Sequence, residues 1–269
     1  MQKINISSLK GVSETLLIPL SGRARAHRDF PELEFSDPWA SKILEKIEFD
    51  SNKYAHDRNV VEGASIRAQI LDRVAKKFFE QHPDGHGFSL GAGLCTRFYR
   101  IDDGKLVWTD IDLPPVIDLK KRLVPETDRY KFIAHSILDF EWMNLVNWKE
   151  GQPVLFIIEG VLLYLLPEEV KNLFQRLVKH FHSGGEIAFD YCHPLVAKYS
   201  ERMRHLKTSG TRFRWSTKDL HELSEWNPRI KLLSALPITS RTSGLPGIAT
   251  RIFHKLTGSH LYGAAHCKF

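Results

Sequence analysis

The chain has 269 residues, 42% of them hydrophobic, enough to bury one sizeable core and better suited to a single α/β domain with additions than to two small domains. Its net charge of +6 is dispersed over short runs: Arg23 to Arg28 (RARAHR), Asp118 to Arg122 (DLKKR) and Arg212 to Trp215 (RFRW). None joins a long basic stripe to interleaved aromatics, so no nucleic-acid partner is expected, and each run reads as a solvated basic face. Cys95, Cys192 and Cys267 are too few and too scattered for a disulfide framework or a thiolate zinc site, which points to a reducing compartment without a thiolate metal centre. No stretch approaches the ~18 apolar residues of a membrane span, and MQKINISSLKG lacks the apolar run of a secretory signal, so a cytoplasmic protein without a membrane partner is expected.

In chain order, residues 1–60 carry no strand pattern and read as a helical N-terminal cover, with 61–269 as the core. SIRAQILDRVAKKFFEQHP sets Ile66, Ile70, Val74 and Phe78 on one helical face, and His82-Pro83 stops it. GFSLGAG is then a buried strand running into a glycine turn; KLVWTDID, YKFIAH, PVLFIIEG and GEIAFDY are further strands, with helical patterns such as PEEVKNLFQRLVKHF between them. Towards the end, RIKLLSAL reads as a strand, SRTSGLPG at Ser240 to Gly247 as a loop, and LPGIATRIFHKL as a helix with Ile248, Ile252 and Leu256 on one side. SHLYGAAHCKF can form a last strand. Strands alternating with helices predict a mostly parallel sheet covered on both faces.

The turn at Gly91-Ala92-Gly93 lies at the carboxyl end of the first strand, where open α/β sheets bind ligands. A dinucleotide fingerprint needs a third glycine where Thr96 stands, and no Gly-Lys-Ser/Thr follows to cradle phosphates, so a nucleoside ligand without phosphate fits best. In VWTDIDLPP, Asp110 and Asp112 are two apart and point to one face of their strand. Asp112 suits the two hydroxyls of a ribose, with Asp110 in support. Glu159 leaves the apolar strand PVLFIIEG, and a carboxylate there needs a cation or donors. S-adenosylmethionine, with an ammonium, a sulfonium and no phosphate, matches these demands, although a structural Glu159 held by backbone amides is an alternative.

GVSETLLIPLSGRARA, FSDPWASKIL, SIRAQILD, LGAGLCTRFYR, DIDLPPVIDLKKRLVPE, SILDFEWM and FIIEGVLLYLLPEEV, in that order, resemble the leucine carboxyl methyltransferase superfamily, and within it the bacterial O-methyltransferases of the tetracenomycin polyketide type. The resemblance implies a class I S-adenosylmethionine-dependent methyltransferase fold: a Rossmann-like, mostly parallel seven-stranded sheet with lid insertions. It implies that Arg67 meets the cofactor's carboxylate, Gly91 its methionine part, Asp112 its ribose and Glu159, before Gly160, again its methionine part. The adenine-flanking pair, often Asp-Leu in the family, falls here on Ile137-Leu138, which moves the adenine contact towards Ser136 or Asp139. Arg23 or Arg25 can supply a second carboxylate contact. The implied activity is O-methylation of a small molecule, a carboxylate or a phenol or enol, in polyketide-type secondary metabolism. Alternatives are methylation of a protein's C-terminal carboxylate and, more remotely, nicotinamide-dependent dehydrogenation.

Methyl transfer from a sulfonium is an in-line displacement needing no metal, and a carboxylate acceptor needs no base, whereas a phenol does. After the fifth strand, Asp190, Tyr191 and His193 are candidates for the acceptor side, His193 first as a base and Tyr191 second. Tyr164 and Tyr199 are candidates for lining the acceptor site, and Arg212 and Arg214 for binding an anionic substrate. The sequence leaves the oligomeric state open.

Overall fold

The computed structural model describes residues 3–6, 16–49, 58–203, 206–207, 210–238 and 245–269. Seven strands, β1 (His86–Leu90), β2 (Val107–Asp112), β3 (Tyr130–Ala134), β4 (Val154–Ile158), β5 (Glu186–Cys192), β6 (Lys231–Pro237) and β7 (Tyr262–Lys268), form one sheet in the order β3-β2-β1-β4-β5-β7-β6. The first five pair in parallel, and β7 runs antiparallel to both β5 and β6. The chain reverses on either side of β1, so the carboxyl ends of β1 and β4 open a crevice there.

Helices α1 (Leu17–Asp29), α2 (Pro38–Lys46), α3 (Arg58–Gln81), α4 (Arg97–Ile101) and α5 (Pro114–Leu123) belong to the first half of the chain. The second half holds α6 (Trp142–Leu145), α7 (Pro167–His180), α8 (Pro194–Lys198), α9 (Glu222–Trp226) and α10 (Leu245–Thr257). One apolar cluster joins α1, α2, α3 and α5 to one face of the sheet, and a second joins α6 and α7 to the other. Every residue of β1 and of β4 is buried, as in a parallel strand covered on both sides. Local chemistry sets the helix starts: Asp37 accepts the Ala40 amide at 3.0 Å with Pro38 at the first position of α2, and the Glu169 carboxylate accepts the Leu166 amide at 2.7 Å before α7. Gly87 sits where β1 crosses Trp108 of β2; a Cβ there would lie 2.2 Å from the indole, so only glycine admits that ring.

The helix expected from Ser65 starts earlier, at Arg58, and its face is as read: Ile66, Ile70 and Phe78 are buried and Val74 half-buried. The stripe of Ile248, Ile252 and Leu256 on α10 keeps its helical spacing but faces solvent, at 48%, 54% and 80% exposed. Ser240 to Gly244 of the expected loop lie outside the described residues. Two basic runs are not uniformly solvated: Arg23 is buried against Asp37, and Lys120 against Asp110 and the Cys95 carbonyl. Both cations are buried because each meets a buried carboxylate, a partner that charge patterning along the chain does not reveal.

His86 opens β1 fully buried, its Nε2 2.8 Å from Thr109 Oγ1, and burial pushes its pKa down to about 4. Above the ordinary histidine pKa of about 6.5 the ring is neutral both folded and unfolded; as pH falls towards 4 only the unfolded chain takes up the proton. Stability is therefore lost across that window, by up to roughly 3 kcal/mol from this group. Urea titrations between pH 7 and 4 should give a shallower loss for His86→Gln than for wild type; parallel curves would contradict it.

Candidate active site

The crevice at the carboxyl ends of β1, β2 and β4 deepens into a cavity of about 700 Å³. Its floor is the turn after β1. Gly91 has φ +68°, and a Cβ there would lie 2.4 Å from Val161 Cγ2, so the turn exposes bare backbone to the cavity. The Gly91 and Ala92 amides both bond to the Ile111 carbonyl, at 2.8 and 3.1 Å, which ties the turn to β2. At the end of β2, Asp112 accepts the Gly93 amide at 2.6 Å and the Leu113 amide at 2.7 Å. Burial pushes its carboxyl above the usual range, against the pull of those two amides. Asp110 turns away into the core, where the Tyr130 hydroxyl at 2.6 Å, the Trp108 indole at 2.9 Å and the Lys120 ammonium all reach it.

A ladder of alternating charge forms the wall behind the turn. Arg67 of α3 donates from Nε to Glu159 at 3.1 Å and from Nη1 to Asp190 at 3.0 Å and to the Tyr262 hydroxyl at 2.6 Å; that hydroxyl in turn donates to Asp190. Arg97 bonds the second oxygen of Glu159 at 2.6 Å and Asp72 at 2.8 Å. Arg100 joins Asp72 to Asp37, each at 2.7 Å, and Arg23 donates to Asp37 and to the Leu94 carbonyl, each at 3.0 Å. Four guanidiniums thus balance Asp190, Glu159, Asp72 and Asp37 in a region almost closed to water. Burial alone would push the Glu159 carboxyl up; Arg67 and Arg97 overcome it and hold it at about 2, so this acid is ionised. Asp190 also accepts the Gly160 amide at 2.5 Å, which fixes the turn after β4.

The cavity's other end is apolar, with Leu163, Tyr164, Val196, Met203, Phe213 and Ile238 in its lining. Of the residues singled out in the sequence, Arg67, Gly91, Ala92, Gly93, Asp112, Ile137, Leu138, Glu159, Gly160, Arg23, Ser136 and Tyr164 line this one cavity. Others stand apart from it. Asp139 is exposed beside His135, and Arg25 pairs with Asp29 at 2.8 Å along α1. His193 does not reach the cavity: its Nδ1 accepts the Leu195 amide at 3.2 Å to cap α8, and its ring meets Phe253 edge-on. Burial and the Lys218 charge hold its pKa below the ordinary histidine value. Tyr191 is buried against Gly263, and burial pushes its phenol up to about 12, so it stays protonated. Tyr199 is 46% exposed, Arg212 pairs with Glu201, and Arg214 faces a separate groove. The base assignments thus lose their geometric ground, because the carboxyl end of β5 carries these side chains past the cavity rather than into it.

Arg97, Asp72, Arg100 and Tyr262 went unnoticed in the sequence. Glu159 demanded a cation, and Arg97 stands in the quoted LGAGLCTRFYR, so pairing that demand with nearby arginines would have found it. Tyr262 is 195 positions from Arg67 and carries no such signal.

Sheet order, glycine turn and acid-tipped second strand together define a Rossmann-like, class I methyltransferase fold. A model of the family "Leucine carboxyl methyltransferase" matches residues 17–178, and the chain belongs to this family. It is 30% identical over 224 residues to the tetracenomycin polyketide synthesis O-methyltransferase TcmP of Streptomyces glaucescens, covering 83% of this chain and 82% of that one. It is 29% identical over 245 residues to the S-adenosyl-L-methionine-dependent methyltransferase dpfgK of Gibberella zeae, covering 83% and 81%. Among solved structures, a candidate methyltransferase from Thermobifida fusca aligns with a TM-score of 0.62 at 13% identity, covering 97% of this chain and 96% of that one. An S-adenosylmethionine-dependent methyltransferase from Anabaena variabilis aligns with a TM-score of 0.53 at 13% identity, covering 81% and 90%; at such identity these likenesses concern the fold. Among the described residues, no helix is long and apolar enough to cross a membrane.

Proposed function

We propose that this chain is a cytoplasmic S-adenosylmethionine-dependent O-methyltransferase that methylates an oxygen of an apolar small molecule in polyketide-type secondary metabolism, with a carboxylate as the favoured acceptor. The observation that carries the reading is one continuous cavity with a polar, charge-balanced end at the glycine turn and an apolar end beside it. The polar end fits the cofactor. Asp112 offers carboxylate oxygens to a ribose, Ser136 to Leu138 edge the space for adenine, and Glu159 and Arg67 offer opposite charges to an amino-acid zwitterion. A balanced ladder suits a zwitterion better than a phosphate, which would call for surplus positive charge.

When bound, the cofactor supplies an electrophilic methyl group on a sulfonium. The chain's own part is to hold the acceptor oxygen in line and keep water from the apolar end. A carboxylate, with a pKa near ~4, is ionised at neutral pH and needs no proton acceptor, whereas a phenol near ~10 does. Among the described residues lining the apolar end there is no carboxylate or imidazole, which supports the carboxylate. The name of the Streptomyces relative supports the polyketide setting.

The test is a screen of aromatic carboxylic acids and phenols with S-adenosylmethionine and a chelator, scored by mass gain of one methyl group. With an acceptor in hand and methyl transfer as the slow step, the rate should vary little between about pH 6 and 9, and His193→Ala should follow wild type. A steep rise that His193→Ala removes would refute the carboxylate reading.

A further inference from the structure

A second, shallower hollow of about 450 Å³ lies beside the apolar end of the cavity, bordered by Lys198, Arg212, Arg214, Glu201 and Phe213. Phe213 belongs to both spaces, its ring edge-on to Tyr164 at 5.6 Å. Helix α8 and the β4–α7 connection also divide between them: Val196 and Leu165 line the cavity, while Pro194, Ala197 and Leu166 line the hollow. The partition is therefore about one side chain thick.

The charge of this hollow is unbalanced, unlike that of the ladder. Its lining carries the cations Lys198, Arg212 and Arg214 against one acid, Glu201. That acid pairs with Arg212 at 2.8 Å. Among the described residues no salt bridge reaches Lys198, Arg202 or Arg214; Lys198 and Arg202 instead lie over the Tyr199 ring at 5.7 and 5.1 Å. Like charges gathered in this way repel one another and favour an anion between them. The segment is also anchored: Ser200 Oγ, in a fully buried residue, accepts the Phe213 amide at 3.0 Å, and the Leu163 carbonyl accepts the Arg214 amide at 2.7 Å. Arg214 thus projects from backbone that is fixed to the cavity wall.

Among the described residues, every charged side chain lining the cavity itself is already engaged, in the ladder or with the glycine turn. Among the described residues, an acidic group on the acceptor, other than the reacting oxygen, finds cations without a carboxylate partner past Phe213, at Lys198 and Arg214. We propose that this basic hollow is an anion subsite, and that the methyl acceptor is an acidic small molecule whose apolar body fills the cavity while a second, non-reacting carboxylate or phosphate is held by Lys198 and Arg214. This rests on the methyltransferase reading for the cavity's use, but its test does not.

The probe pair is 1-pyrenebutyrate and the neutral 1-pyrenebutanol, titrated by fluorescence at low salt into the full chain with and without S-adenosylhomocysteine. The acid should bind roughly tenfold more tightly than the alcohol, an advantage that added salt reduces. In the double variant Lys198→Gln/Arg214→Gln the two probes should bind within a factor of two of each other, with S-adenosylhomocysteine affinity as in wild type. Equal affinities in the wild type, or an acid preference that survives the double substitution, overturns the subsite. Loss of the methyltransferase reading would appear separately, as wild-type protein that binds no S-adenosylhomocysteine.

Discussion

Asp112→Ala should lower the affinity for S-adenosylhomocysteine by roughly 10- to 100-fold. The estimate follows from a charge-assisted hydrogen bond of roughly 1.5–3 kcal/mol, lost where a ribose hydroxyl would donate to the carboxylate. The carboxylate also holds the Gly93 and Leu113 amides, so its removal loosens the turn that forms the cavity floor. Those amides border the cavity and can turn to water, so the loss of fold stability should be small beside the loss of affinity. Calorimetry on the folded variant checks this, with Asp112→Asn as the companion that keeps the shape and removes the charge. Affinity within a factor of two of wild type would reject the ribose assignment.

Arg97→Met should destabilise the protein by about 3–5 kcal/mol, the range for removing one partner of a buried ion pair. Arg97 is 1% exposed and joins Glu159 to Asp72 in the middle of the ladder. Without it, Glu159 keeps its bond to Arg67 and the charge of Arg23, and the burial that favours its neutral form is less opposed. The carboxyl's pKa then rises from about 2, and protonation relieves part of the strain in acid, so the deficit should be larger at pH 7.5 than at about pH 3. Urea unfolding at the two pH values measures it. Arg212→Ala is the contrast: its pair with Glu201 is 65% and 62% exposed, and screening by water leaves little to lose. A cost for Arg97→Met no greater than for Arg212→Ala would show that the ladder does not support the fold.

The two variants probe separate layers of one site. Asp112 faces the cavity from a strand end and is held chiefly by backbone amides, whereas Arg97, which also borders the cavity, is almost wholly buried and held between two carboxylates of the ladder. A variant of the first kind should change ligand binding before stability, and one of the second kind stability before binding.

Strand alternation, the glycine turn and the acids at Asp112 and Glu159 were legible in the chain itself, because each depends on local chemistry. Buried strands need apolar runs, a bare-backbone turn needs glycine, and an acid ending such a run needs a partner. The sequence by itself therefore determined the mostly parallel sheet, the cavity floor and the character of its ligand. It did not determine which cation meets which acid. Arg67 and Asp190, 123 positions apart, share a hydrogen bond only because α3 crosses the carboxyl end of β5, and Tyr262 joins them only because β7 returns antiparallel beside it. The directions of His193 and Tyr191 were equally out of reach: alternation tells which face of β5 a side chain leaves from, but capping of α8 and packing on Gly263 decide where it ends. The tertiary structure also separated Asp110 from Asp112, since both leave one face of β2 but only the second extends past the core into the cavity. Local patterns thus specify elements and chemical demands, while long-range packing chooses the partners that meet them.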